Sequence, residues 1–242
     1  MAQGSMVVVS HVSKVYRRGA GIATLKGLLS GDFRNRHEFY ALRDVDFEVA
    51  PGEVLGIIGA NGSGKTTLLS ILLGCVCPTE GEVRLRSQVC SMLDLGVGFD
   101  NGFTGRQNVY QACQLQGMTH RQVADGFKSM IDFAGVWPII DTPFKRYSLG
   151  ERVRLEFAVL TCLDAPIVLV DDILALADVA FGEKALAYIK QVAESGRTVL
   201  LVSHTPQRLV PLADRVLWLR GGAVADLGPP GAVVRHYLEA HG

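Results

Sequence analysis

The sequence predicts an α/β fold built on a mostly parallel sheet. Three observations support this. Between residues 167 and 219, apolar runs of strand length alternate with helical stretches, the order that gives parallel strands with helices on their faces. The run Val54 to Ile58 is apolar throughout, as suits a strand buried on both sides. From Gly105 to about Leu163 the periodicity is helical, with Val123, Phe127, Met130 and Ile131 on one face of a helix over Arg121 to Phe133.

Bulk properties agree with a folded domain. The 242 residues are 48% apolar and 20% charged, which excludes intrinsic disorder. Twenty-four basic residues balance 24 acidic ones, so no global field favours nucleic acid, and no nucleic-acid partner is expected. No apolar run reaches the ~18–20 residues of a spanning helix, and the start lacks a signal peptide's charged region. Five cysteines without a CxxC pair read as buried, reduced thiols.

Taken in order, Val7 to Tyr16 and Leu42 to Val49 read as strands, the second alternating through Val45, Phe47 and Val49. Pro51-Gly52 is a turn, and Val54 to Ile58 is the buried strand. A glycine-rich loop leads into a helix over Lys65 to Leu73. Glu82 to Leu85 and Val89 to Leu93 are further strands, and Pro138 and Pro143 break the helical middle. Strand (Ile167 to Val170), helix (Val179 to Ala193), strand (Val199 to Val202), helix (Gln207 to Ala213) and strand (Val216 to Leu219) follow. Gly221-Gly222 makes a hairpin turn, and a last helix runs from about Pro230 to Ala240.

Chemistry enters at Gly59-Ala60-Asn61-Gly62-Ser63-Gly64-Lys65-Thr66, which fits G-x-x-x-x-G-K-[ST] between a strand and a helix. The glycines let backbone N–H groups converge on phosphate oxygens, and the helix N-terminus adds its positive end. Lys65 is placed on the β- and γ-phosphates of ATP, the Thr66 hydroxyl on Mg²⁺, and Thr67 beside them. A second acidic element, Ile167-Val168-Leu169-Val170-Asp171-Asp172, ends an apolar strand in two carboxylates. Asp171, on a strand next to the phosphate-loop strand, is the candidate for orienting Mg²⁺ through water, and Asp172 for polarising an attacking water.

Further segments carry a resemblance. Arg146-Tyr147-Ser148-Leu149-Gly150-Glu151-Arg152 opens a helix about twenty residues before Asp171. It resembles the signature loop of ATP-binding-cassette ATPases, agreeing with its consensus at Ser148 and Gly150. Leu201-Val202-Ser203-His204 resembles their switch histidine, and Asp214 to Gly222 their closing strand pair. Tyr40 to Val45, Leu95 to Phe99, Thr104 to Tyr110 and Asp141 to Ser148 resemble segments of the ATPases that serve O-antigen, teichoic acid and capsular polysaccharide export.

The resemblance implies one cassette over residues 1–242. It would have a mostly parallel core sheet, an antiparallel β part, a helical subdomain at about 105–163 and no room for a C-terminal carbohydrate-binding domain. It implies a homodimer that sandwiches two ATP, with Ser148 and Gly150 binding the γ-phosphate in trans and His204 sensing it in cis. Asp178 would cross the interface. Tyr16 would stack on adenine, unless it is an ordinary edge-strand aromatic. The implied partner is an integral membrane permease that makes most of the contact with the glycan, at the cytoplasmic face of the bacterial inner membrane.

This sequence departs from the family at two acids. Asp172 stands where Glu is usual, one methylene shorter. The Q-loop glutamine is missing, and Asp94 is the nearest acid there, a further candidate near the metal. Slow hydrolysis, or a non-hydrolysing regulatory subunit, is therefore an alternative expectation. A non-transport cassette protein is another, although those tend to carry coiled-coil insertions or paired cassettes. The stretch Arg17 to His37 is a longer link than most such ATPases have. It holds five basic residues against Asp32, reading either as a basic amphipathic helix for an anionic lipid or glycolipid surface or as a solvated loop.

Overall fold

The structure, a computed structural model, describes residues 4–17, 38–91, 98–171, 178–203 and 205–241. Two sheets build it. In the smaller, β1 (Val7–Arg17) lies between β2 (Glu38–Val49) and β4 (Glu80–Leu85), antiparallel to both. The larger comprises β3 (Val54–Ile58), β5 (Val89–Ser91), β6 (Ile167–Val170), β7 (Thr198–Val202), β8 (Arg215–Arg220) and β9 (Ala223–Gly228). Its order is β5-β6-β7-β3-β8-β9, parallel except for β9, which returns antiparallel to β8.

The apolar strand runs are explained by what covers them. Successive strand side chains point to opposite faces, and here both faces are buried. Val54, Ile58, Val168, Val170, Val199, Leu201, Val216 and Trp218 pack into a core shared with helices. Their alternates Leu55, Ile57, Ile167, Leu169, Leu200, Val202, Leu217 and Leu219 pack against the antiparallel sheet and α1 (Lys65–Leu72).

The middle of the chain forms α2 (Gly105–Leu115), α3 (His120–Ala134) and α4 (Leu149–Leu160), with short 3-10 turns at Trp137–Ile139 and Phe144–Arg146. Each of the three helices starts at a capping box, Thr104 with Gln107, Thr119 with Gln122, and Ser148 with Glu151. Then come α5 (Val179–Glu194) and α6 (Pro230–Glu239).

Four expectations are corrected. The Asp171 strand is not next to the phosphate-loop strand, because β7 lies between β6 and β3. The helix expected over Gln207 to Ala213 is only a 3-10 turn, Pro206–Arg208, followed by turns; Pro211 lacks the N–H a longer helix needs. β2 begins at Glu38 rather than Leu42. Of the cysteines, Cys90 and Cys113 are buried, Cys162 partly so, and Cys75 and Cys77 are exposed. Those two lie in the loop that leaves α1, beyond its core-facing turns. The basic stretch 18–37 lies outside the described residues.

Candidate active site

The phosphate loop runs from the end of β3 into α1. Lys65 is buried, and its Nζ donates to the carbonyl oxygens of Gly59 at 2.7 Å and Ala60 at 3.0 Å. The ammonium is thus folded back on its own loop, held where the loop's concave side faces the cleft. Gly64, the N-cap of α1, has φ +107 and offers no side-chain acceptor to the first turn. A Cβ there would stand 2.6 Å from the carbonyl oxygen of Ala41 and 2.7 Å from Leu42 Cδ2, so only glycine lets the loop press this closely on β2.

A cleft of about 230 Å³ opens above the loop. Asn61, Gly62, Gly64, Lys65, Thr66 and Thr67 line it, with Phe39 and Ala41 from β2 and Asp171 from the end of β6. Asp171 therefore reaches the loop from two strands away, across β7. Ser63 Oγ is buried and has no hydrogen-bond partner among the described residues. A buried hydroxyl without a partner is costly. Together with Lys65 and the open first turn of α1, it fits an anion with several acceptor oxygens. For Mg²⁺ the cleft offers two hydroxyl residues, Thr66 and Thr67, and one carboxylate, Asp171, a sparse set that suits a cation keeping phosphate oxygens and waters as its other ligands.

Phe39 was missed by sequence reasoning. Its signal was the aromatic pair Phe39-Tyr40 ahead of the expected start of β2. Tyr16 and Phe39 are direct partners in the antiparallel register of β1 and β2, so both rings share one face of the ribbon. Both are exposed, at 41% and 54%. Phe39 lines the cleft; Tyr16, with Lys14 Nζ 5.1 Å from its ring centroid, is not among the lining residues. The hairpin turn after β8 also touches the loop. The N–H of Gly222 donates to the Ser63 carbonyl oxygen at 3.1 Å, bracing the loop from behind.

None of Ser148, Gly150 and Asp178 lines this cleft. Ser148 is the N-cap of α4, exposed, with Gly150 in the first turn. Asp178 is the N-cap of α5. Its carboxylate accepts from the N–H of Phe181 at 2.9 Å and lies 3.8 Å from Arg154 Nη1, an ion pair between the second turn of α4 and the start of α5. The Glu151 carboxyl is held below its ordinary range by hydrogen bonds from the Ser148 hydroxyl and amide. Further along α4, burial pushes Glu156 up to about 7, with Arg152 offsetting part of the effect. Asp94, Asp172 and His204 lie outside the described residues.

Comparison with known proteins agrees with this geometry. The ABC transporter family model matches residues 42–175. The chain is 40% identical over 199 residues to the ABC transporter protein AbcA of Aeromonas salmonicida, across 82% of this chain and 65% of that one. It is 34% identical over 240 residues to the teichoic acids export ATP-binding protein TagH of Listeria innocua, spanning 99% of this chain and 71% of that protein. It is 33% identical to the O-antigen export system ATP-binding protein RfbB of Klebsiella pneumoniae, over 96% of both. In fold it is similar to a dimeric ATP-binding cassette solved in a post-hydrolysis state with ADP and Pi. The TM-score is 0.78 over 93% of this chain and 99% of the other, at 22% identity. With its phosphate loop, the carboxylate facing it and these likenesses over most of its length, the chain belongs to the ABC transporter family and carries that family's ATPase cassette.

Proposed function

We propose that this chain is the ATP-hydrolysing subunit of an exporter that moves a polysaccharide or lipid-linked glycan across a bacterial inner membrane. The observation that carries the reading is the 33–34% identity over nearly the whole chain to O-antigen and teichoic acid export proteins, joined to a cleft that unites Lys65, Thr66 and Asp171. In this reading Asn61, Gly62, Ser63, Gly64 and Lys65 hold the phosphates of ATP. Gly59 gives the turn that brings the loop round. Thr66 and Asp171, with Asp94, hold Mg²⁺. Mg²⁺ when bound neutralises phosphate charge and orients the terminal phosphoryl group. Asp172 accepts a proton from the attacking water, and His204 contacts the terminal phosphate.

Ser148, Gly150 and Asp178 act across a homodimer. They lie away from their own chain's cleft, so a second copy is the way to bring an exposed helix N-terminus to the phosphates. A membrane-spanning permease is the partner in this reading, supported by the likeness to ATP-binding proteins of export systems. A groove of about 690 Å³ along α2, with Phe103 and Leu115 exposed, is the surface offered to it. In this reading the chain works at the cytoplasmic face of the membrane.

The test is co-expression with a candidate glycan permease. The expected result is a complex of two cassettes with two membrane subunits, whose phosphate release rises on adding the lipid-linked glycan. Mixing Ser148→Arg with Lys65→Ala subunits then leaves at most one competent site per dimer. Hydrolysis linear in protein concentration, with no dimer under ATP, contradicts the paired arrangement. No hydrolysis but intact ATP-driven dimerisation favours the regulatory reading raised by Asp172.

A further inference from the structure

Glu151 binds the group that the trans reading assigns to a partner's nucleotide. One carboxylate oxygen, Oε2, accepts from the Ser148 hydroxyl at 2.7 Å and from the Ser148 N–H at 2.8 Å, while the Glu151 N–H donates back to Ser148 Oγ at 3.3 Å. The arrangement is a capping box. It differs from the boxes at α2 and α3 in one respect: those are closed by neutral Gln107 and Gln122, and this one by a charged side chain. A neutral amide thus suffices for capping in this same chain. The charge at α4 is therefore not required for capping. It places an anion on the positive end of the helix, where it quenches the field that would draw a phosphate.

We propose that Glu151 is a resident anion that holds the signature loop shut, so a partner's nucleotide engages Ser148 only after displacing this carboxylate. The proposal rests on the reading that Ser148 faces the partner's nucleotide. The displaced side chain has a place to go. Arg154 is one turn further along α4, within the i, i+3 spacing at which side chains meet. Its charge already attracts the Glu151 carboxylate, and its buried Nε has no hydrogen-bond partner among the described residues. Arg154 also lies 3.8 Å from Asp178. Movement of Glu151 from Ser148 to Arg154 therefore carries the event at the signature loop to the start of α5. Glu151 is a positioning residue here, acting through Ser148.

The experiment compares Glu151→Gln and Glu151→Ala with the wild-type full chain. The readout is the dimer dissociation constant, by sedimentation, with Mg²⁺ and a non-hydrolysable ATP analogue. Binding of a fluorescent ATP to the monomer, which reads the phosphate loop, serves as the fold control. Glu151→Gln keeps the cap and removes the charge, so its dimer is expected to be about tenfold tighter, with the difference shrinking as salt rises. Glu151→Ala loses cap and charge together and gains less. If Glu151 is only a cap, Gln equals Glu and Ala is weaker than both; that result overturns the proposal. Ser148→Arg separates the two layers. If it abolishes the dimer while Glu151→Gln has no effect, the proposal fails and the trans reading stands. If nucleotide-dependent dimers survive Ser148→Arg, or form with no variant, the trans reading fails and takes the proposal with it.

Discussion

The backbone N–H of Gly222 donates to the carbonyl oxygen of Ser63 at 3.1 Å, and the carbonyl oxygen of Gly222 accepts from the N–H of Arg43 at 2.8 Å. One residue of a hairpin turn thus joins the phosphate loop to β2. Gly222 has φ +84, and a Cβ on it would stand 2.8 Å from the Ala41 carbonyl oxygen; neighbouring Gly221, at φ +58, faces open space. Gly221→Ala is expected to cost about 1 kcal/mol of backbone strain and leave ATP binding intact. Gly222→Ala is expected to cost about 2–3 kcal/mol and weaken ATP binding, because strain and collision add. Urea unfolding and ATP titration on both variants decide; equal effects disprove the bracing role.

Lys65→Ala is expected to abolish measurable Mg-ATP binding, since the loop loses its buried cation beside the phosphates. Isothermal titration on the folded variant checks this. Wild-type affinity would remove the loop from nucleotide binding.

The pairing of Tyr16 with Phe39 predicts two aromatic contributions to nucleotide affinity rather than one. A stacked base is worth about 1–3 kcal/mol, so Tyr16→Ala and Phe39→Ala are each expected to weaken ATP binding by about tenfold. Leu at either position should recover little. If Phe39→Ala binds ATP as the wild type does, the ring is only a wall of the cleft.

Asp172 is one methylene shorter than the usual acid. Asp172→Glu is expected to raise the single-turnover rate about tenfold, or about 1.4 kcal/mol off the barrier, with ATP affinity little changed. Asp172→Asn is expected to remove most hydrolysis and trap the closed dimer. Phosphate release unchanged in Asp172→Asn would take this residue out of the mechanism.

Glu156 sets a pH dependence. Its carboxyl rises from an ordinary 4.5 to about 7 in the folded chain through burial. Between those values the folded state keeps a proton that the unfolded state has released, so stability falls as pH rises through the window and stays lower above it. Glu156→Gln is expected to stabilise the protein by roughly 1–3 kcal/mol at pH 8 and to change little at pH 4. Thermal unfolding at the two pH values tests the sign; equal shifts at both would contradict it.

The phosphate loop, β3, β6, β7 and the start of α4 were readable from short stretches because their causes are local. A glycine pattern permits one loop path, a doubly buried strand is apolar at every position, and Ser148 with Glu151 caps the helix three residues apart. The failed helix at 207–213 was local too, and Pro211 was the overlooked signal. Strand order was decided elsewhere. That β7 separates β6 from β3, and that Asp171 still lines the cleft above Lys65, depends on ladders that pair Ile167 with Thr198 and Val54 with Val199. The same holds for Phe39 opposite Tyr16 and for Gly222 against Ser63 and Ala41. No short stretch of sequence contains both partners of such a contact, and each is set only when separate segments come together in the sheets.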